Sequence, residues 1–203
     1  EAEHDPADEP VFVEEIKKNS NQLLNLVNDI LFLSRLDANM IESNRSETDF
    51  SLCFDSCCQL GLSNVRPEVK IIIENDYDHL IVNIDLENTS KLIQRACLIA
   101  SALTLQGTIR CKYEYWHGEL IIVIEDTGVG IEAERLSTLF NRLERNQKLE
   151  ESSTGLDIPI IEALALMMGG NVEAQSGKDK GTTARITIPC EASLVEKKKR
   201  EEN

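Results

Sequence analysis

The chain has 203 residues, with 21 Lys and Arg against 36 Asp and Glu and a formal net charge of −15. This length suits one domain of ordinary size with an appendage. So acidic a surface repels phosphate backbones and excludes nucleic acid as an expected partner, and no apolar run approaches the roughly 20 residues of a membrane span.

The opening "EAEHDPADEP" (residues 1–10) is acidic and polar, so it is predicted to be a disordered lead and not a signal peptide. We expect a cytoplasmic chain that reaches a membrane only through flanking domains. The cysteines form no paired C-x-x-C arrangement, which indicates reduced thiols, and Cys97 and Cys111 are expected to act as small hydrophobes. A metal site made of Cys53, Cys57 and Cys58 is a less favoured alternative, because no His lies near them in sequence.

Residues 11–42 are predicted to form one long helix, the main part of a partial helical-bundle segment at 11–46. Its apolar stripe repeats every seven residues, with further members three positions later: Ile16, Leu23, Leu26, Ile30 and Leu33. A helix with so broad an apolar face needs partner helices, so we expect a homodimer formed through it.

A second domain is expected at 47–191, after a polar break at 43–49. The patterns predict a short helix at 50–62, strands at 69–75 and 80–85, and a helix at 86–107 ended by Gly107. A hairpin at 108–126, helical signals at 133–141, a helix at 156–170 and strands at 171–176 and 183–189 follow. Residues 192–203 are interpreted as a charged tail. The fold class is α/β, a two-layer sandwich with helices on one face of a mixed sheet.

The stretch "LIIVIEDTGVGI" (residues 120–131) reads as a buried strand that ends in a glycine-containing loop. Ligands often bind at such strand ends, and Asp126 offers a fixed acceptor for an N–H or amino group. Because a carboxylate repels phosphate, its expected guest is the base of a nucleotide. An ordinary turn with a capping aspartate is the alternative.

The order of the motifs resembles that of two-component sensor histidine kinases, particularly hybrid kinases. "NDILFLSRLDANMIE" is similar to the second helix of their dimerisation and phosphotransfer bundle, and "DTGVGI" to the first glycine box of their ATP-binding domain. "LSTLFNRL" resembles the phenylalanine box, "SSTGLDIPIIEALALMMGGNVEAQS" the second glycine box, and "KDKGTTARITIP" the closing strands, with Asp179 in place of a family glycine.

The resemblance implies a site for ATP. It implies that Asp126 accepts a hydrogen bond from the adenine amino group. It also implies that Gly128 and Gly130 allow the loop to lie against the base and the ribose. Phosphates would face the helix start at Gly155 and Leu156. Residues 141–153 would be a lid over the phosphates. The remaining implied residues are Gly181 and Thr182 near the adenine and the lid cations Arg142, Arg145 and Lys148.

Three departures from the family put catalysis in doubt. The family's paired asparagines correspond to Leu98 and Ala102. The resemblance gives the second asparagine to Mg²⁺, and the methyl group of Ala102 cannot supply the oxygen ligand that the ion demands. It gives the other polar side chain to activation of the transfer step, and that position is Leu98. Asp157 replaces a glycine where the triphosphate would lie, and its charge is expected to repel the ligand. The phosphoacceptor histidine motif is missing, because His4, His79 and His117 lie in unsuitable surroundings.

We therefore expect a histidine-kinase-type ATP-binding domain that binds ATP weakly, with a doubtful Mg²⁺ site and impaired phosphotransfer, and that acts as a regulatory module. A response-regulator receiver domain is a possible partner. Two alternatives stay open: an active histidine kinase whose Mg²⁺ is held by water and phosphate alone, and a protein-interaction module that has abandoned nucleotide.

Overall fold

The computed structural model describes residues 9–132 and 156–199. Its helices are α1 (Glu9–Asp37), α2 (Phe50–Gly61), α3 (Leu86–Leu103) and α4 (Asp157–Met167). Its strands are β1 (Ser46–Asp49), β2 (Val69–Glu74), β3 (Tyr77–Ile84), β4 (Gly107–Trp116), β5 (Glu119–Asp126), β6 (Asn171–Ser176), β7 (Thr182–Pro189) and β8 (Ala192–Lys197). None of the described helices combines the length and the apolar character needed to cross a membrane.

The larger sheet has five strands in the order β2-β4-β5-β7-β6. β2 runs parallel to β4, and the other neighbouring pairs are antiparallel. Residues 120–124 of the central strand β5 are all buried, which explains their unbroken apolar run. α3 and α4 pack against this sheet and against each other. The predicted mixed sheet with helices on one face is confirmed.

A second, three-stranded sheet in the order β1-β3-β8 was not predicted. The sequence analysis assigned residues 43–49 to a polar break and 192–203 to a tail, yet β1 and β8 both pair antiparallel with β3. Most of their side chains are exposed or half-buried, so the strands are held by backbone pairing that composition does not reveal.

Two helix ends also differ from the prediction. α1 stops at Asp37 because Asn39 takes a left-handed φ of 52° and the Met40 N–H bonds back to the Arg35 carbonyl. α3 stops at Leu103, and Gly107 begins β4 with φ 117°. The predicted hairpin between β4 and β5 is confirmed, with positive φ at His117 and Gly118.

α1 lies against α4, and its apolar stripe is divided between two surroundings. Leu26 and Leu33 pack against the buried core, so the expectation that the whole stripe lacks an internal partner is wrong for them. Ile16, Leu23 and Ile30 are more than half exposed.

Asp49 joins β1, α2 and β3. Its carboxylate caps α2 by accepting the Ser51 N–H at 3.2 Å, and it also accepts the Leu80 N–H at 3.2 Å and contacts His79 Nδ1 at 2.7 Å. Burial alone would raise the pKa of Asp49, but hydrogen bonds from Ser51, His79 and Leu80 outweigh it and lower that pKa. The same contact raises the pKa of His79.

We expect Asp49→Ala to lower the free energy of unfolding by about 1–2 kcal/mol, because a helix cap and a link to β3 are lost. Since the pKa of Asp49 is lowered, its contribution is complete above about pH 4 and is lost as the pH falls through the lowered value. Because the pKa of His79 is raised, the contribution of His79 to stability is complete below about pH 6.5 and is lost as the pH rises through the raised pKa. Urea unfolding across pH measures this. The control Glu47→Ala, on exposed β1 surface, should change stability by less than about 0.5 kcal/mol.

Candidate nucleotide-binding site

Asp126 ends β5 opposite Thr182 of β7 and is 8% exposed. Its Oδ1 accepts the Gly128 N–H at 2.8 Å, and Thr182 bonds the carboxylate through both backbone and side chain. Burial raises the pKa of Asp126, and these hydrogen bonds offset part of that rise. The carboxylate therefore caps its own loop, as the simpler interpretation of the sequence expected.

The glycines of the loop permit close approach of backbone to backbone. A Cβ on Gly128 would overlap the Leu103 carbonyl at the end of α3, and one on Gly181 would overlap the Asp126 carbonyl. Gly130 has φ 66°, and a Cβ there would overlap the Gly177 carbonyl. The fold itself requires these glycines, whether or not a ligand binds.

Ser176, at the end of β6, is a residue of the loop that the sequence analysis missed. Its Oγ accepts the Ile131 N–H at 2.7 Å and donates to the Gly181 carbonyl at 2.9 Å. Nearby, the Asp179 N–H donates to the Val129 carbonyl at 2.7 Å, with Asp179 itself at φ 57°. Ser176 therefore ties the loop after β5 to the turn between β6 and β7. A lone serine at a strand end gives no sequence signal for this.

Leu98 and Ala102 lie one helical turn apart on α3 and are half-buried. Neither offers an oxygen to a metal ion. Gln94, a conceivable substitute ligand, donates its amide to Ser90 Oγ at 2.8 Å. Arg95 lies one turn before Leu98 on the same side of the helix, and the sequence analysis did not single it out.

Arg95 binds two buried carboxylates from other helices. Its Nη1 donates to Asp157 Oδ1 at 2.6 Å, and its Nη2 donates to Asp29 Oδ1 at 2.5 Å. Asp157 is 3% exposed and Asp29 8%. Burial disfavours the charged guanidinium, but the bonds and charges of Asp29 and Asp157 outweigh it and raise the pKa of Arg95. We call these three residues the arginine bridge.

The arginine bridge changes the interpretation of Asp157. The sequence analysis expected its charge to face the phosphates, whereas the structure directs it to Arg95, so its charge is partly compensated. The arginine bridge as a whole, with two carboxylates and one guanidinium, still has a formal charge of minus one. The bridge also joins α1, α3 and α4 at the start of α4, where the resemblance places the phosphates.

Of the residues considered for the site, Gly128 and Asp157 contact α3. Gly128 contacts Leu103 at one end, and Asp157 binds Arg95 eight residues earlier, about 12 Å along the helix. Leu156, the residue before α4, is buried and accepts the Ile160 N–H through its carbonyl at 3.0 Å. Gly155 and the lid residues Arg142, Arg145 and Lys148 lie outside the described residues.

Two concave regions of the described surface lie away from this site. One, of about 670 Å³, is lined by residues that include Arg45, Tyr115 and Cys190. The other, of about 410 Å³, lies on the five-stranded sheet near Lys112 and Arg185. Neither contains Asp126 or Arg95.

The fold and the loop geometry are those of an ATP-binding domain of the histidine kinase kind. Residues 86–192, just over half of the chain, match the family described as "Histidine kinase-, DNA gyrase B-, and HSP90-like ATPase". The chain belongs to this family, and its domain is of the sensor histidine kinase type.

Similar proteins are hybrid signal transduction histidine kinase B of Dictyostelium discoideum, 28% identical over 88% of this chain, and histidine protein kinase DivJ of Caulobacter vibrioides, 26% identical over 88%. The matched segments cover 10% and 30% of those proteins. Full-length ShkA in complex with AMPPNP has a similar structure, with TM-score 0.77, 19% identity and coverage of 91% of this chain and 39% of that one. Acinetobacter baumannii histidine kinase AdeS has TM-score 0.68, 17% identity and coverage of 92% and 86%.

We expect Arg95→Met to lower the free energy of unfolding by about 3–5 kcal/mol, because it leaves two buried carboxylates without their cation. Adding Asp29→Asn and Asp157→Asn should restore much of that loss. Urea unfolding measures both. The matched control Arg110→Met breaks an exposed 3.6 Å pair with Glu74 and should cost less than about 1 kcal/mol. Equal losses in the two arginine variants would contradict a stabilising bridge.

Proposed function

We propose that this domain is a histidine-kinase-type nucleotide-binding module with impaired phosphotransfer, which acts in regulation within a two-component sensor. The observation that supports this most is on α3. Leu98 and Ala102 put hydrocarbon at the positions that the resemblance gives to the transfer step and to the metal, and the neighbouring Arg95 is already bound by Asp157 and Asp29.

The residues present do not fit a magnesium ion. Mg²⁺ requires oxygen ligands in near-octahedral geometry, and Leu98 and Ala102 supply none. The nearest carboxylates on the same side, Asp157 and Asp29, bind Arg95 at 2.6 and 2.5 Å. Metal binding by these carboxylates would require breaking the arginine bridge, which leaves a half-buried guanidinium without its anions.

Adenine nucleotide is a better fit, although a weak one. Asp126 and its loop are intact and well ordered by hydrogen bonds to Gly128 and Thr182. Further along α3, Arg95 is a cation beside the start of α4, but it would have to exchange a carboxylate for a phosphate. We therefore infer that ATP binds chiefly through its base, aided by the lid cations Arg142, Arg145 and Lys148 and by the free N–H groups at the start of α4.

A regulatory role is supported by the contact between α1 and the ATP-binding domain. Asp29 on α1 is bound to Arg95, and Leu26 and Leu33 pack against the core, so the domain is docked on its bundle helix. Phosphotransfer in trans requires an ATP-binding domain that can move to its acceptor, and this contact restrains such movement. We place the module in the cytoplasm, where ATP and reduced thiols occur, with a receiver domain as a candidate partner.

A non-nucleotide interaction module is the second candidate. The observation that favours it is the hydrogen bond of 2.6 Å from Arg95 to Asp157. This ion pair compensates the positive charge of Arg95, which would otherwise attract phosphate. An active histidine kinase would need Mg²⁺ held by water and phosphate alone.

We expect calorimetric titration to show weak ATP binding, with an affinity gain from Mg²⁺ of less than about tenfold, or 1.4 kcal/mol. Asp126→Asn should abolish the binding, because the amide presents a donor to the adenine amino group. No ATP binding by the wild type would favour the interaction module. A gain of about a hundredfold from Mg²⁺ would contradict the impaired site.

The triple variant Leu98→Asn, Ala102→Asn and Asp157→Gly should gain magnesium-dependent binding, because it adds amide oxygens and releases one face of Arg95. The control Lys91→Asn adds an amide on an exposed part of α3 and should leave binding unchanged. Radiolabelled phosphate transfer to a separate acceptor bundle gives a second measurement. Efficient transfer by the wild type would show an active kinase.

We also expect self-association through the exposed part of the α1 stripe. Leu23 and Ile30 are 63% and 51% exposed, and Leu24, Val27 and Leu31 extend the apolar surface. Leu23→Asp with Ile30→Asp should convert a dimer to a monomer in sedimentation without unfolding the domain. The control Leu52→Asp with Leu60→Asp alters equally exposed leucines on α2 and should leave the dimer intact. A wild type that stays monomeric at high concentration would contradict this expectation.

A further inference from the structure

Three cysteines that are distant in sequence form one buried cluster. Cys58 of α2, Cys97 of α3 and Cys111 of β4 are fully buried, and their sulfur atoms all lie within 4.8 Å of one another. The Sγ atoms of Cys97 and Cys111 are 3.8 Å apart. We call these residues the thiol cluster. The sequence analysis expected Cys97 and Cys111 to be separate hydrophobes and considered a different set, Cys53 with Cys57 and Cys58.

The packing of α2 on α3 explains why the sulfur atoms meet. Gly61 of α2 lies so close to α3 that a Cβ there would overlap the Gln94 carbonyl and the Cys97 Cβ. The missing side chain lets the two helices approach, and Cys58, one turn before Gly61, is brought to Cys97. β4 passes below the helices and contributes Cys111 from the sheet.

The spacing of the sulfur atoms suits a soft metal ion. Thiolates that bind a metal at about 2.3 Å with tetrahedral angles lie about 3.8 Å apart, close to the Cys97 to Cys111 separation. Zn²⁺ almost always takes four ligands in structural sites, and within the described residues no further His, Cys, Asp or Glu joins the cluster. A set of three sulfur ligands therefore favours copper(I), which selects soft thiolates.

We propose that Cys58, Cys97 and Cys111 bind one copper(I) ion in the core of the domain. Binding forms three copper to sulfur bonds, releases the protons of the coordinating thiols to solvent and involves no change of oxidation state, because copper enters as Cu⁺. Because the cluster is buried, the ion enters on folding or on transient opening of the domain. The bound ion would link α2, α3 and β4 and stabilise the folded chain by mass action.

The test refolds the full chain without oxygen, with excess reductant and copper(I), and then removes unbound metal. We expect one copper per chain, an ultraviolet band from thiolate coordination and a raised Tm. In competition with a copper(I) chelator, Cys97→Ser and Cys111→Ser should lower the affinity by more than the 10- to 100-fold that is typical of changes outside the ligand set, that is by more than about 100-fold. Circular dichroism checks that each variant folds.

The matched control is Cys53→Ser with Cys190→Ser, which removes two thiols outside the cluster and should leave copper binding unchanged. Failure of the wild type to retain copper would overturn the proposal without any variant. So would equal loss of copper in the control, or stoichiometric zinc binding that excludes copper(I). None of these outcomes bears on ATP, so the proposal is tested separately from the function of the nucleotide site.

Discussion

The guanidinium of Arg95, held between two buried carboxylates, is the interaction on which the arrangement of the helices depends. A buried charge is tolerated only when it is paired and hydrogen-bonded, so the three side chains fix one another. Asp29 brings α1, Arg95 brings α3 and Asp157 brings the first residue of α4. The bridge therefore sets both where α1 lies on the domain and where α4 starts. Apolar packing alone, which has no direction, would define neither so closely.

α3 contributes to the arginine bridge, to the thiol cluster and to the contact with the loop after β5. Its more buried side packs Leu92, Cys97 and Ala100 into the core, and Cys97 belongs to the thiol cluster there. Its half-buried side carries Arg95, Leu98 and Ala102, and its last carbonyl at Leu103 meets the loop after β5. A change on one side of this helix is thus felt by the nucleotide site, by the docking of α1 and by the core. The proposed regulatory role would use this coupling.

Periodicity in the sequence predicted the parts of the fold in which local pattern and burial agree. The unbroken apolar run of β5 and the amphipathic period of α3 were found because each is read from adjacent residues. β1 and β8 were missed because polar edge strands depend on backbone pairing with β3. The arginine bridge was missed for a related reason: Arg95 is 62 residues from Asp157 and 66 from Asp29 in sequence. Single charged residues at such distances carry no pattern.

The family motifs persist unequally in this chain, and the structure gives a physical reason. Gly128, Gly130 and Gly181 are each required because a Cβ would overlap a backbone carbonyl, so losing any of them would damage the fold. The positions that the resemblance gives to the family's asparagines carry no such requirement, since Leu98 and Ala102 are accommodated on a half-buried helix face. Selection for stability alone would therefore retain the glycines and release the asparagines. The retained glycines are evidence of the fold, whereas the proposal on phosphotransfer depends on the side chains of α3.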